Sequence, residues 1–247
     1  KMTSINNASY WKGVYVYNEN KEKSHSSISN LEVSNLAATE LNVLNLTGGI
    51  TFYNADLKIN NLKIDNINAE DALNIVNSKV KINEIDIQNT SSDGLDCDFC
   101  EGSIDGVKLL EIGGDGIDLS GSKLSLNINI ANKIKDKVVS IGEESNAKVN
   151  INYVRNSYVA VAVKDGSESI IELNDIETNG PFVITYNKKD FYTKNTNALV
   201  TSNRFNFEYV NRKFLAGIEN SLNVNGIKIK KSNIDLKKLY KEGAMKK

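Results

Sequence analysis

Aspartate recurs through the middle of the chain at nearly constant spacing, at Asp71, Asp93, Asp115 and Asp136, with intervals of 22, 22 and 21 residues. A fixed period in this range marks a stacked repeat architecture, in which each unit buries its apolar face against its neighbours. The hydrophobic phase repeats with the acid, as Leu73 and Ile75, Leu95 and Cys97, then Ile117 and Leu119. The series runs back to the segment from Gly49 to Asn54 and forward to the segment from Tyr158 to Val163. A second apolar run lies between these segments: Val80, Ile82, Ile85 and Ile87 in one repeat, Ile104, Val107, Leu109 and Ile112 in the next. Its short spacing belongs to strands, whose successive side chains point to opposite faces. Two or three short strands per turn, coiled with a rise of one strand, predict an all-β fold: a parallel β-helix with turns of about 22 residues and capped ends.

Composition agrees with a single elongated domain. Of 247 residues 40% are hydrophobic, and the one proline, Pro181, follows the regular repeats, where it removes no ladder hydrogen bond. Residues 1–180 are expected to form the β-helix with its N-terminal cap, and residues 181–247 the last turns and a basic C-terminal cap or tail of the same domain. Asn83, Asp105 and Asn127 recur at 22 residues, with Asn60 or Asn61 a turn earlier, and short polar side chains of this kind suit a stacked corner. The pattern resembles the asparagine ladder of right-handed parallel β-helices. Left-handed β-helices follow a six-residue rhythm that is not seen here, so a right-handed coil is expected. The stretch from Ala37 to Thr47 exceeds one turn and reads as an inserted loop or extra strand, while residues 1–12, with Trp11, close the lower end of the coil.

Charge divides along the chain. Residues 1–180 hold 16 basic and 26 acidic side chains, residues 181–247 hold 14 basic and 5 acidic, and the whole balances at −1. The lysines from Lys228 to Lys247 therefore suit an anionic polymer, an acidic partner or the acidic middle of a second copy; the alternative is a solvated, partly disordered tail. Nucleic acid is not an expected partner, because the repeat face is acidic and repels phosphates. No apolar stretch approaches the roughly 20 residues of a membrane helix, and no secretory signal is visible.

Strand alternation points Leu95 and Cys97 inward and Asp96 and Asp98 outward. Stacking adds Asn74 and Asp118 to the column of Asp96 and Ser120 to that of Asp98, giving an outer patch of Asp93, Asp96, Asp98, Asp115 and Asp118. Neighbouring turns lie about 4.8 Å apart, where two carboxylates repel by about 0.9 kcal/mol in water and about 3.5 kcal/mol at an effective dielectric of 20. Raised proton affinities, turn hydrogen bonds or a bound cation relieve that repulsion; Ca²⁺, held by Asp96, Asp98 and Asp118, is the candidate ion. Asp71, Asp93, Asp115 and Asp136 form a third column at the strand entrance, which Gly94 and Gly116 follow, and also read as ordinary turn caps. Asp96, Asp98 and Asp118 lie within the strand, where aspartate is disfavoured.

The segments from Ser92 to Asp96 and from Gly114 to Asp118 are similar to the paired acidic motifs on adjacent turns of the pectin-lyase-like superfamily, which includes polygalacturonase-type hydrolases. The resemblance implies a polysaccharide ligand, with Asp96, Asp118 and Asp115 as general acid and water-activating groups, because glycoside cleavage needs one carboxyl protonated and another charged. It also implies a secreted or cell-surface location. The Gly-His-Gly and Arg-x-Lys motifs of the hydrolases have no counterpart, and the one histidine, His25, lies far upstream in the loop from Lys21 to Ser27. Lyase or uronate epimerase chemistry instead asks for a base, for which Lys137 and Arg155 are candidates. Asp93, Asp98, Asn74 and Arg155 complete the expected substrate-binding set.

Cys97 and Cys100 lack a second pair to complete a zinc site, so they read as buried thiols or a local disulfide. Tyr15, Tyr17, Phe52 and Tyr53 offer either a sugar-stacking strip or cap packing. The functional expectation is an extracellular β-helix that binds, and in an enzyme reading processes, an acidic polysaccharide. The alternative is a structural, assembly or adhesion protein whose basic C-terminal segment contacts another surface protein or a second copy.

Overall fold

The computed structural model describes residues 1–3, 9–19, 24–41, 44–203 and 210–241. It is a parallel β-solenoid built as expected from stacked turns, with an 11-stranded sheet of long strands and a 10-stranded sheet of short ones. Each turn alternates between the two. Asp71–Val76, Asp93–Asp98, Ile117–Ser120, Lys137–Gly142 and Val159–Lys164 are successive short strands, and Lys79–Thr90, Glu101–Ile112, Lys123–Ile134 and Asn146–Ser157 are the long strands between them. The pairing is in register, with Leu73 beside Leu95, Leu95 beside Ile117 and Ile117 beside Val139.

Three columns of left-handed backbone bend the chain in each turn. One contains Asn54, Asn77 and Phe99, the second Asn61 and Glu84, and the third Asn66, Asn89, Glu111, Lys133 and Asn156, all with φ between 50° and 62°. Asparagine tolerates this conformation better than other side-chain-bearing residues, which explains why it dominates the corners. Amide ladders run along and beside the bends: Asn77 Nδ2 donates to Asn54 Oδ1 (3.2 Å) within the first column, and Asn83 Nδ2 to Asn60 Oδ1 (2.9 Å) next to the second. Of the ladder expected at Asn83, Asp105 and Asn127 with Asn60 or Asn61 before it, the Asn60–Asn83 rung is present and Asp105 lies in register with Asn83, while a register shift between Ile104 and Val107 interrupts it before Asn127; Asn61 is the bent residue next to Asn60.

The interior is a set of apolar columns, for example Ile59, Ile82, Ile104, Leu126 and Val149, each at most 3% exposed. Cys97 continues one column and is disulfide-bonded to Cys100. Where the short strands begin, two consecutive residues face the core: Val138 with Val139, and Ala160 with Val161. Gly94 and Gly116 occupy the first of these places, where a Cβ would point at Leu109 in the core. The residue just before this inward pair stands on the outer side, as Val159 does with Ala162, Ile184 and Tyr186. This break in alternation puts Asp71, Asp93, Asp115 and Lys137 on the same outer wall as Asp96 and Asp118.

The ends differ in detail from the sequence reading. The excess length after Ala37 is an antiparallel hairpin, Thr39–Leu41 with Leu44–Leu46. Trp11 packs on the first coil and donates its Nε1 to Ser34 O at 2.8 Å. His25 is not in a loop: it lies on the strand Ser24–Ala37, in register with Asp56. The coil continues past Pro181 through Val183–Tyr186, Asn197–Ser202, Phe214–Gly217 and Ser221–Val224. Leu236–Lys241 is a short helix whose Leu236, Leu239 and Tyr240 pack on Val159, Ala162, Ile184 and Tyr186, leaving Lys237 and Lys238 exposed. This part of the basic segment is docked, so the expectation of a solvated tail does not hold for it. Phe205, Phe207, Tyr209, Lys246 and Lys247 lie outside the described residues.

Candidate functional site

Two outward columns can be followed strand by strand along the sheet of short strands. One runs Tyr15, Thr51, Asn74, Asp96, Asp118, Ser140, Ala162 and Ile184; the other begins Tyr17, Tyr53, Val76, Asp98 and Ser120. The wall is therefore graded along the solenoid axis. It is aromatic at the N-terminal end, acidic in the middle, cationic at Lys137 and Lys164, and apolar where the C-terminal helix covers it.

The aromatic end presents Tyr17 and Tyr53 as a stacked pair, ring centroids 4.9 Å apart, with both rings exposed. Phe52 does not belong to this strip. It is 1% exposed, because the residue between outward-facing Thr51 and Tyr53 necessarily faces the core.

Asp96 and Asp118 are direct register neighbours, as predicted, and both are half-buried. Asn74 Nδ2 donates to Asp96 Oδ2 at 3.0 Å. Burial, followed by the charges of Asp71, Asp98, Asp118 and Asp93, pushes the Asp96 carboxyl up to about 9, so it holds its proton at neutral pH. Asp98 is also raised, by burial and then by Asp118.

Asp93 and Asp115 are buried rather than displayed, at 3% and 1% exposure. Their carboxylates close the turns: Asp93 Oδ1 accepts the Asp115 amide at 2.8 Å, and Asp115 Oδ1 accepts the Lys137 amide at 3.1 Å. Both readings of these residues are therefore met in part, since they are turn caps that also stand on the wall.

The expected fourth member of the aspartate column is corrected by one residue. Asp136 N bonds to Gly114 O and Gly116 N to Lys137 O, so it is Lys137 that stacks on Asp115. Lys137 is buried with its Nζ 2.8 Å from Asp115 Oδ1 and 2.7 Å from Asp136 Oδ2. Burial opposes its charge, but Asp115 and Asp136 outweigh burial and hold the ammonium firmly protonated. With two carboxyls sharing one ammonium, burial and the nearby Asp115 charge push Asp136 up to about 7. Lys137 is thus held as the counter-ion of Asp115 and Asp136. Lys164, which sequence reasoning missed, reaches the same wall with Nζ 3.8 Å from Asp118 Oδ1. Its signal was its place, 22 residues after Gly142 and 44 after Ser120.

Arg155 belongs elsewhere. It lies on the long strand Asn146–Ser157, pairs with Asp175 at 2.8 Å and Glu177 at 3.5 Å, and covers the Tyr153 ring. These contacts remove it from the set expected around Asp96.

Among the described residues, Asp93, Asp115 and Asp118 form a carboxylate group, with one oxygen of each within 4.8 Å of the others. Of the metal ligands expected from sequence, only Asp118 is among them. Asp93 Oδ1 and Asp115 Oδ1 already accept backbone amides, and Lys137 and Lys164 bring positive charge to the group. Ca²⁺ takes roughly six to eight oxygen ligands, and two of these three carboxylates are already committed to backbone amides.

Comparisons with family models, with curated proteins and with solved structures find no match to this chain.

Proposed function

We propose that this chain is an extracellular or cell-surface β-helix of the pectin-lyase-like type that binds a polysaccharide along the outer wall of its short strands. The observation that carries the reading is the continuity of the exposed Tyr17–Tyr53 stack with the carboxyl groups: Tyr53 and Asp98 share one column, and Tyr15 shares the other with Asp96 and Asp118. Tyrosine faces stack on sugar rings, and carboxyl groups exchange hydrogen bonds with sugar hydroxyls. Two strand spacings, about 10 Å, separate Tyr53 from Asp98, so an extended glycan lying along the axis meets both. The Cys97–Cys100 disulfide supports an oxidising compartment.

A glycan panel probed with and without Ca²⁺ tests this. Tyr17→Ala combined with Tyr53→Ala is expected to weaken the selected glycan about tenfold, from two stacking contacts of about 0.5–1.5 kcal/mol each. Equal affinity for the double variant and the wild type would remove the platform from the reading. A requirement for Ca²⁺ would return the ion to the site.

Cleavage is the second reading, favoured by the pairing of protonated Asp96 with a second carboxyl, Asp118, on the next turn. Release of reducing ends or unsaturated uronates, lost when both become Asn, is its signature. A panel of bound glycans yielding neither product leaves a binding module.

A further inference from the structure

The long-strand sheet carries a groove of opposite charge. A cavity of about 590 Å³ is lined by Lys58, Lys79 and Lys81, and a second of about 240 Å³ by Lys123 and Lys148. Glu101 and Gly102 line both, so the two form one track along the solenoid axis.

Its shape follows from the strand pattern. Lys58, Lys81, Ser103, Ser125 and Lys148 form one outward column, and Lys79, Glu101 and Lys123 another. The inward column between them supplies a floor of Leu57, Val80 and Leu124, each 3% exposed. Gly102 takes the place of an apolar residue in that column. Its φ of +139° and the 1.9 Å that a Cβ would leave to Val80 O exclude any larger side chain without a backbone shift, so the floor is notched where the cavities meet.

All five lysines are exposed, and among the described residues no carboxylate lies within ion-pair distance of them. Asp56 also lines the larger cavity and accepts the Lys79 amide with its Oδ1, so two carboxylates, Asp56 and Glu101, stand among the five lysines and leave the track net positive. From Lys58 to Lys148 the track crosses four strand spacings, about 20 Å.

We infer that this groove is a second binding surface, for a sulfated or carboxylated polysaccharide lying along the axis, independent of the tyrosine and carboxyl wall. Ammonium groups at strand spacing match regularly placed anions, and Ser103 and Ser125 offer hydroxyls between them. Single-stranded nucleic acid fits less well, since the lining has no arginine and no Phe, Tyr or Trp to stack on bases. A second copy also fits less well. The opposite wall has its charge reduced by Lys137, Lys164 and the proton on Asp96.

The test is titration of a heparin-derived sulfated decasaccharide into the full chain at about 50 mM and about 300 mM salt, where release of condensed ions makes binding salt-dependent. The wild type is expected to bind at low salt and at least tenfold more weakly at high salt. Lys58→Gln, Lys79→Gln and Lys81→Gln together are expected to lower affinity at least tenfold at an unchanged melting temperature, and the same three positions as Arg to keep it. Lys237→Gln with Lys238→Gln, exposed lysines of the C-terminal helix that line neither cavity, is expected to leave this affinity unchanged, which separates the groove from the general charge of the chain. No binding by the wild type at low salt, or full affinity in the triple Gln variant, overturns the inference. So does tighter binding of a single-stranded oligonucleotide of equal charge, or a doubling of mass that the triple Gln substitution abolishes.

Discussion

Lys137→Met is expected to lower the unfolding free energy by about 3–5 kcal/mol at neutral pH, read as a lower urea midpoint at constant slope. The methionine fills similar volume, so the loss reports charge and not a cavity. In the wild type the ammonium lies between Asp115 Oδ1 and Asp136 Oδ2 in a place that is 2% exposed. Without it, two buried carboxyls face each other and one or both must take up a proton. The deficit should therefore shrink as pH falls through the carboxylate range. Adding Asp115→Asn and Asp136→Asn should restore part of the stability, because the triple variant holds no unpaired charge. A deficit under about 1 kcal/mol for the single variant would show that Lys137 is not the counter-ion of the wall. The sign for the lysine itself is clear: its folded-state proton affinity is raised, so its contribution is complete below the ordinary lysine pKa and is lost only above it.

The architecture and the pairing of Asp96 with Asp118 were legible because both rest on one property, a 22-residue advance that carries apolar residues and acids together. What failed to read through was offset from that period or did not repeat. Asp136 continued the acidic rhythm by eye, yet the apolar pair Val138 and Val139 sets the register, and it aligns with Gly116 and Ile117. Register follows the buried residues, since a slip of one exchanges the two faces. Arg155 carried no sign of its sheet when taken alone. It becomes placeable once Asn132 is recognised as its neighbour on the preceding long strand. The C-terminal helix docks through contacts that do not repeat along the chain, visible in the sequence only as the apolar stripe of Leu236, Leu239 and Tyr240 within a run of lysines. The groove was hidden for the opposite reason. Lys58, Lys81 and Lys148 read as ordinary exposed strand positions until the stacked turns align them.

Asp96→Asn is expected to stabilise the fold at alkaline pH and to do nothing in acid. In the folded chain the carboxyl keeps its proton up to about 9, whereas the reference value for an unperturbed aspartate is 3.8. Between those values the folded state binds the extra proton, so stability falls as pH rises through the whole window. Asparagine cannot ionise and still accepts the Asn74 amide at the 3.0 Å contact, so it removes the penalty without removing the hydrogen bond. The gain at pH 8 should be on the order of 2 kcal/mol, less than the full shift implies because water reaches part of the group. Melting curves of both proteins should therefore diverge at about pH 8 and coincide at about pH 3.5. A difference of equal size at both ends would assign the effect to packing. A loss at pH 8 would mean that Asp96 is charged in the folded protein, and the case for a protonated acid beside Asp118 would fall with it.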